Sequence, residues 1–160
     1  MRAPSESPAV DISIASPLWN DLDCEATIRR AIAAAATPAS AQAELSVLLT
    51  DDAAIRALNA QWRHRDEPTN VLSFPAPQVG ATQPRLLGDI VIAYETTARE
   101  AATEHKRLDD HLAHLTVHGF LHLLGYDHES ETEAETMERL EREILARLDI
   151  ADPYASRDEG

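Results

Sequence analysis

Hydrophobic and polar positions change period several times along this 160-residue chain, and each change marks an element. Val10, Ile12 and Ile14 alternate with Asp11 and Ser13, a period of two that predicts a strand over about 10–15. Asp21 or Asp23 can cap a helix that runs to about Ala36, with Ile28 and Ile32 one turn apart, until Thr37-Pro38 ends it. Leu45 to Leu49 reads as a second strand. Thr50, Asp51 or Asp52 then caps a helix bearing Ile55, Leu58 and Trp62 at i, i+3 and i+7. A polar loop over 63–70 leads to a short strand, Val71 to Phe74, stopped by Pro75 and Pro77. After a loop over 76–85, Leu86 to Ala93 is a strongly apolar strand broken only by Gly88 and Asp89. Three helices follow, at about 94–106, 108–124 and 131–148.

The order β-α-β-α-β-β-α-α-α combines one early helical crossover with a hairpin. It predicts an α+β fold: one domain over 1–160 with a loose tail at 1–8, and a mixed sheet of about four strands packed with about five helices. The helix over 108–124 is apolar on most of its circumference, so it belongs in the middle of the domain. Its polar exception is a stripe of His111, His114, His118 and His122, which at about 100° per residue fall within roughly 80° of one another. In the last helix Met137, Leu140, Ile144 and Leu148 form an apolar seam. Glu135/Arg139, Glu138/Arg142 and Glu143/Arg147 are i, i+4 pairs, and its other acids read as a solvated face.

Composition narrows the setting. No run of about 18 apolar residues indicates a membrane span, and residues 1–16 lack a basic-then-apolar signal pattern. A single cysteine, Cys24, rules out an internal disulfide framework, which suits the cytoplasm. The net charge of −14 argues against broad nonspecific nucleic-acid binding. The charge is uneven. Residues 129–160 hold eleven acids against four arginines, whereas Arg56, Arg63, Arg65 and Arg85 outnumber Asp66 and Glu67 over 53–88. An anionic substrate is expected on the side built by that middle segment.

The chemistry is concentrated in His118-Gly119-Phe120-Leu121-His122-Leu123-Leu124-Gly125-Tyr126-Asp127-His128. His118 and His122 sit one turn apart, Gly125 offers a left-handed helix end, and the reversed chain can bring His128 back. Three histidines form the ligand set of a catalytic zinc site that keeps one open position. The spacing is that of H-E-x-x-H-x-x-G-x-x-H, but Gly119 stands where that protease pattern has its glutamate base. Another group must then handle the proton; His114, Asp127 and solvent are the candidates. His111 and His114 either support the ligands from behind or are merely polar groups at a helix edge, and Asp127 can orient an imidazole rather than touch substrate. Arg63, His64 and Arg65 after a helix end are either a solvated loop or a phosphate site, where the guanidinium fork matches phosphate oxygens.

This eleven-residue motif, the segment Pro68-Thr69-Asn70-Val71-Leu72-Ser73-Phe74-Pro75, the run Leu87-Gly88-Asp89-Ile90-Val91-Ile92 and the closing Asp152-Pro153-Tyr154 together resemble the bacterial YbeY family over about residues 40–154. The resemblance implies a zinc-dependent endoribonuclease acting on single-stranded RNA, in maturation of the 3′ end of small-subunit ribosomal RNA and in ribosome quality control. It implies one Zn2+ per chain on His118, His122 and His128, with His118 and Arg63 as catalytic residues. The implied partners are an rRNA precursor, the small ribosomal subunit and assembly factors. Trp62 and His64 flank Arg63 where other members often carry Tyr and Gly.

Two other classes stay open. One is a peptidase-type metal hydrolase, which shares the histidine spacing but needs the absent glutamate. The other is a ribosome-assembly protein whose zinc is structural, which needs a fourth protein ligand; Asp127 is the nearest donor. Copper or nickel would also suit the imidazoles, and oligomeric state is not encoded in any feature above.

Overall fold

The computed structural model describes residues 7–77 and 86–154. Most of the expected tail at 1–8 and loop at 76–85 lies outside the described residues. Four strands, β1 (Ala9–Ile14), β2 (Glu44–Thr50), β3 (Val71–Pro75) and β4 (Leu86–Ala93), form one sheet in the order β1-β2-β4-β3. β1, β2 and β4 run parallel and β3 pairs antiparallel with β4, which is the mixed sheet expected. β4 runs as one strand through Gly88 and Asp89, with a register shift opposite Glu44/Leu45.

Five helices accompany the sheet: α1 (Cys24–Ala35), α2 (Asp52–Arg63), α3 (Tyr94–Thr103), α4 (Leu108–Leu123) and α5 (Glu131–Arg147). Asp23, Asp51 and Ser130 cap α1, α2 and α5 by accepting the backbone N–H of the third residue of each helix. Two short 3-10 turns were not legible from periodicity, Pro17–Trp19 and Pro38–Ser40; each starts on proline, whose fixed φ suits a first helical position. Trp19 is fully buried there, its indole N–H donating to the Thr50 carbonyl at 2.8 Å.

The two faces of the sheet bury different sets of side chains, as a period of two requires. Leu45, Val47, Leu49, Ile90 and Ile92 join α1, α4 and α5 in the main core. Leu72, Val91 and Ala93 point the other way and pack against Ile55 of α2, with Leu48, Leu58 and Phe74 at the margin. Helix α4 lies between the sheet and α5, with Leu112, Val117 and Phe120 fully buried. No helix among the described residues is long and apolar enough to cross a membrane.

Two of the arginines expected to pair along α5 have tertiary partners. Arg147 donates to the Ala34 carbonyl at 3.0 Å, and Arg142 binds Asp152 at 3.1 Å. An exposed i, i+4 ion pair is worth only a few tenths of a kcal/mol, so a carbonyl at the end of α1 competes easily.

Candidate metal centre

Helix α4 ends as the glycine predicts. Gly125 has φ +106, its N–H bonds the His122 carbonyl, and the Tyr126 N–H bonds the Leu121 carbonyl. That pair of bonds is the Schellman arrangement. It turns the chain so that the Tyr126 carbonyl accepts the Nδ1–H of His122 at 2.9 Å, and it carries His128 back over the end of α4. The rings of His118, His122 and His128 converge, with centroids 4.6, 5.1 and 5.9 Å apart.

Hydrogen bonding sets the tautomers. Glu141 of α5 is 1 % exposed, and its carboxylate receives His118 Nδ1–H at 3.0 Å, His114 Nε2–H at 2.6 Å and the Tyr154 hydroxyl at 2.7 Å. Burial by itself would raise this carboxyl, but the bonds from His114 and His118 overturn that and hold it at about 2. An ionised carboxylate only accepts, so the His118 proton sits on Nδ1. The Tyr126 carbonyl places the His122 proton on Nδ1 in the same way. The two Nε2 atoms then face each other as lone pairs 3.2 Å apart.

Two acceptors at that distance repel unless a cation lies between them. Zn–N bonds of about 2.0–2.1 Å at a tetrahedral angle separate two ligand nitrogens by about 3.3 Å. The gap between the two Nε2 atoms thus suits a metal ion with His128 beside them, whereas the ligand atoms that all lie within 4.8 Å of one another belong to His122, Asp127 and His128, a set that leaves out His118. Burial, and then the neighbouring His118 and His128, push the His122 imidazole below its ordinary range, which keeps the lone pair available.

Asp127 does not take the orienting role read for it. Its Oδ1 accepts the backbone N–H of His128 at 2.8 Å and lies 3.9 Å from that ring's Nδ1, beyond hydrogen-bond reach. It braces the turn and does not orient the imidazole. It is also a possible donor, since single ligand atoms of His122, Asp127 and His128 lie within 4.8 Å of one another.

His111 and His114 are not helix-edge residues. His111 is 3 % exposed and bonds Glu100 of α3 at 2.9 Å; Glu100 also accepts from Asn70 at 2.9 Å. His114 sits behind His118, pushed down by burial against the pull of Glu141. The reading of the spare α5 acids as a solvated face fails at Glu141, which the apolar seam itself encloses. Position 141 is four residues after Met137 and three before Ile144, so the helical period placed it inward. That was the available signal.

Gly119 explains the missing protease glutamate. A Cβ at 119 would stand 2.9 Å from Ile90 Cγ2 and 3.2 Å from Ser73 Oγ. Helix α4 lies directly on β4 and β3 at this point, and a glutamate does not fit.

Opposite the histidines, α2 ends at Arg63 and His64 takes the left-handed conformation, φ 59. Arg63 reaches β3 and donates from Nη2 to the Ser73 carbonyl at 3.2 Å. A cleft of about 850 Å³ is lined by Arg63 and Arg65 on one wall and by His118, His122, Asp127 and His128 on the other. The arginine and the histidines, 55 positions apart at Arg63 and His118, thus share one space.

An α+β domain with a histidine cluster at the end of a buried helix, facing arginines across an open cleft, has the makings of a metal-dependent hydrolase of anionic substrates. The family model described as "Endoribonuclease YbeY" matches residues 15–149, and the chain belongs to that family. A protein named Endoribonuclease YbeY from Rhodopseudomonas palustris strain BisA53 is 58% identical, over 94% of this chain and 92% of the relative. One of the same name from a Bradyrhizobium strain is 57% identical, over 96% of each. The solution structure of TM1509 from Thermotoga maritima is 25% identical with a TM-score of 0.49, covering 88% of this chain and 91% of that one.

Proposed function

We propose that this chain is a cytoplasmic, zinc-dependent endoribonuclease that acts on single-stranded ribosomal RNA precursors. It would mature the 3′ end of the small-subunit RNA and serve ribosome quality control, in contact with the small subunit and assembly factors. The observation that carries the reading is the cleft that puts Arg63 and Arg65 opposite a cluster of histidine lone pairs.

In this reading His118, His122 and His128 hold one zinc ion. When bound, such an ion polarises a phosphate oxygen and makes water more acidic. The chain supplies the rest. Arg63 is anchored through one N–H to Ser73, and its remaining donors are free to grip a phosphate and offset the charge that develops on it. Glu141 and the Tyr126 carbonyl keep two imidazoles in the ligating tautomer. Of the proton acceptors considered, His114 points at Glu141 from behind the cluster, so Asp127 and solvent in the cleft remain. Gly119 excludes a protease-type base, which disfavours the peptidase reading.

A structural zinc retains one point in its favour, the nearness of Asp127 as a fourth donor. Both readings meet the same experiment. Purified wild type, His118→Ala, His122→Ala and Arg63→Ala are given a small-subunit rRNA precursor, and the metal content of each is determined. The expected result is one zinc per chain in wild type and Arg63→Ala, less in the histidine variants, and cleavage lost in all three variants. Loss for Arg63→Ala should be about a hundredfold or more, the scale of removing one donor to a developing oxyanion. Equal residual cleavage in every sample would move the chain to the structural-zinc class.

A further inference from the structure

The cleft does not stop at the histidines. A second cavity of about 470 Å³ opens beside it, and Asn70, Val71 and His118 line both. That volume lies in the range of small-ligand sites, about 300–1,000 Å³. Leu115, Pro153 and Tyr154 give the cavity apolar sides. The Tyr154 ring is held by its hydroxyl, which donates to Glu141 at 2.7 Å, and by the Arg142 guanidinium 5.5 Å from its centroid.

The polar groups of this cavity are chiefly acceptors. His111 and His114 both line it, and each gives its Nε2–H to a carboxylate, Glu100 or Glu141. Each therefore keeps a lone pair on Nδ1, and both Nδ1 atoms are buried without a partner among the described residues. Glu100 receives His111 and Asn70 on the same oxygen, Oε1, at 2.9 Å each. Its Oε2 accepts no hydrogen bond among the described residues, and the side chain is 34 % exposed. Burial would raise this carboxyl, but the bonds from His111 and Asn70 outweigh it and hold the group low. The one permanent cation in the lining, Lys106, is already held by Glu104 at 2.7 Å. A phosphate entering here would meet two carboxylates and a paired lysine. A neutral group that brings N–H donors would meet a free acceptor.

We propose that this cavity is a nucleobase subsite: it takes the unpaired base next to the phosphate held between Arg63 and the histidines, with a base N–H donating to Glu100 Oε2. His118 borders both spaces, so a strand with its phosphate at the histidines can turn one neighbouring base into the cavity. Every base carries an N–H donor on its pairing edge, and pairing occupies it, so the subsite selects single strands more than sequence. A chain of net charge −14 thus gains a hold on RNA through an acceptor, where a basic surface is missing. The inference rests on the RNA-cleavage reading and adds a base contact to it.

Glu100→Gln isolates that contact. The amide keeps Oε1 for His111 and Asn70 and puts an NH2 donor in place of Oε2, where it opposes the base N–H. Zinc-loaded, isotope-labelled protein is titrated with adenosine, cytidine and ribose 5-phosphate while backbone amide spectra are recorded. Both nucleosides should shift the amides of Asn70, Val71 and Leu115, and ribose 5-phosphate should leave them in place. Nucleoside affinity should fall about tenfold in Glu100→Gln, the scale of one hydrogen bond to a charged acceptor. A single abasic position is then walked along a cleaved RNA strand. At one position beside the cleaved bond it should lower kcat/KM about tenfold in wild type, and clearly less in Glu100→Gln. The wild-type arms decide the matter even where the variant does not fold. Nucleosides that leave those amides unshifted, ribose 5-phosphate that shifts them equally, or a strand cleaved normally with each position abasic in turn would overturn the subsite and leave the nuclease reading standing. So would an abasic cost of equal size in the two proteins. Failure of wild type to cleave RNA at all would end both.

Discussion

The two walls of the cleft are built on opposite terms. On the histidine wall the imidazoles are tied from behind: His118 to Glu141, His122 to the Tyr126 carbonyl, His114 to Glu141 and His111 to Glu100. On the arginine wall Arg63 has one anchor and Arg65 one exposed ion pair. The first wall is organised before anything binds and the second is left open for substrate to complete. A metal ligand gains from a fixed tautomer and direction. A groove that must accept a flexible strand gains from exposed, unsatisfied donors.

If that contrast is right, changes behind the histidines should cost metal and stability, whereas Arg63→Ala costs turnover alone. The largest effect is expected for Glu141→Gln. An amide cannot accept from His114, His118 and Tyr154 together, because its NH2 end only donates. Zinc affinity should fall about 10- to 100-fold in competition with a chromophoric chelator. In the metal-free protein, nitrogen NMR should show the His118 proton redistributed from Nδ1. Unchanged affinity and tautomer would make Glu141 a packing residue only.

Gly119→Ala comes next. The added methyl presses on Ile90 and Ser73, and overpacking of this kind costs about 1–3 kcal/mol. The urea midpoint should drop accordingly, with zinc binding reduced because α4 must shift away from the sheet. A variant as stable as wild type would mean that α4 does not lie as close to β4 as described.

The smallest effect concerns the outermost tie. Burial would raise the Glu100 carboxyl, but hydrogen bonds from His111 and Asn70 prevail and lower it. A carboxyl lowered in the folded state stabilises above its unfolded value of about 4.3, and that contribution is lost as pH falls through the folded value. Glu100→Gln should therefore be less stable than wild type at pH 7, and the gap should narrow at pH 3. Denaturant midpoints at the two pH values decide it; a gap of constant size would show that the ionised form contributes nothing.

Local pattern carried most of the fold. Every strand and helix of the main scheme is present near its expected place, with α3 ending at Thr103 ahead of the expected 106, because alternation, a capping aspartate and a helix-ending glycine act within a few residues. The same holds for the turn at Gly125 that returns His128 toward the cluster. The spacing of His118, His122 and His128 is a one-turn relation plus one tight reversal, and no distant residue is needed to read it.

What the sequence determined by itself was this skeleton, the candidate ligand triplet, and the family motif that joined Arg63 to it. Tertiary structure decided the rest. Glu141 lies 23 positions after His118 and reads on paper as one more acid in a charged helix. Its helical period turns it inward, but only the packing of α5 on α4 lets that one buried carboxylate fix two imidazoles. The same is true of Gly119, an ordinary helix residue until α4 lies on Ile90. Side-chain period tells which way a residue faces along its own element. What it faces is set by elements far away in sequence, and tautomer, cation fit and cleft all depend on that second fact.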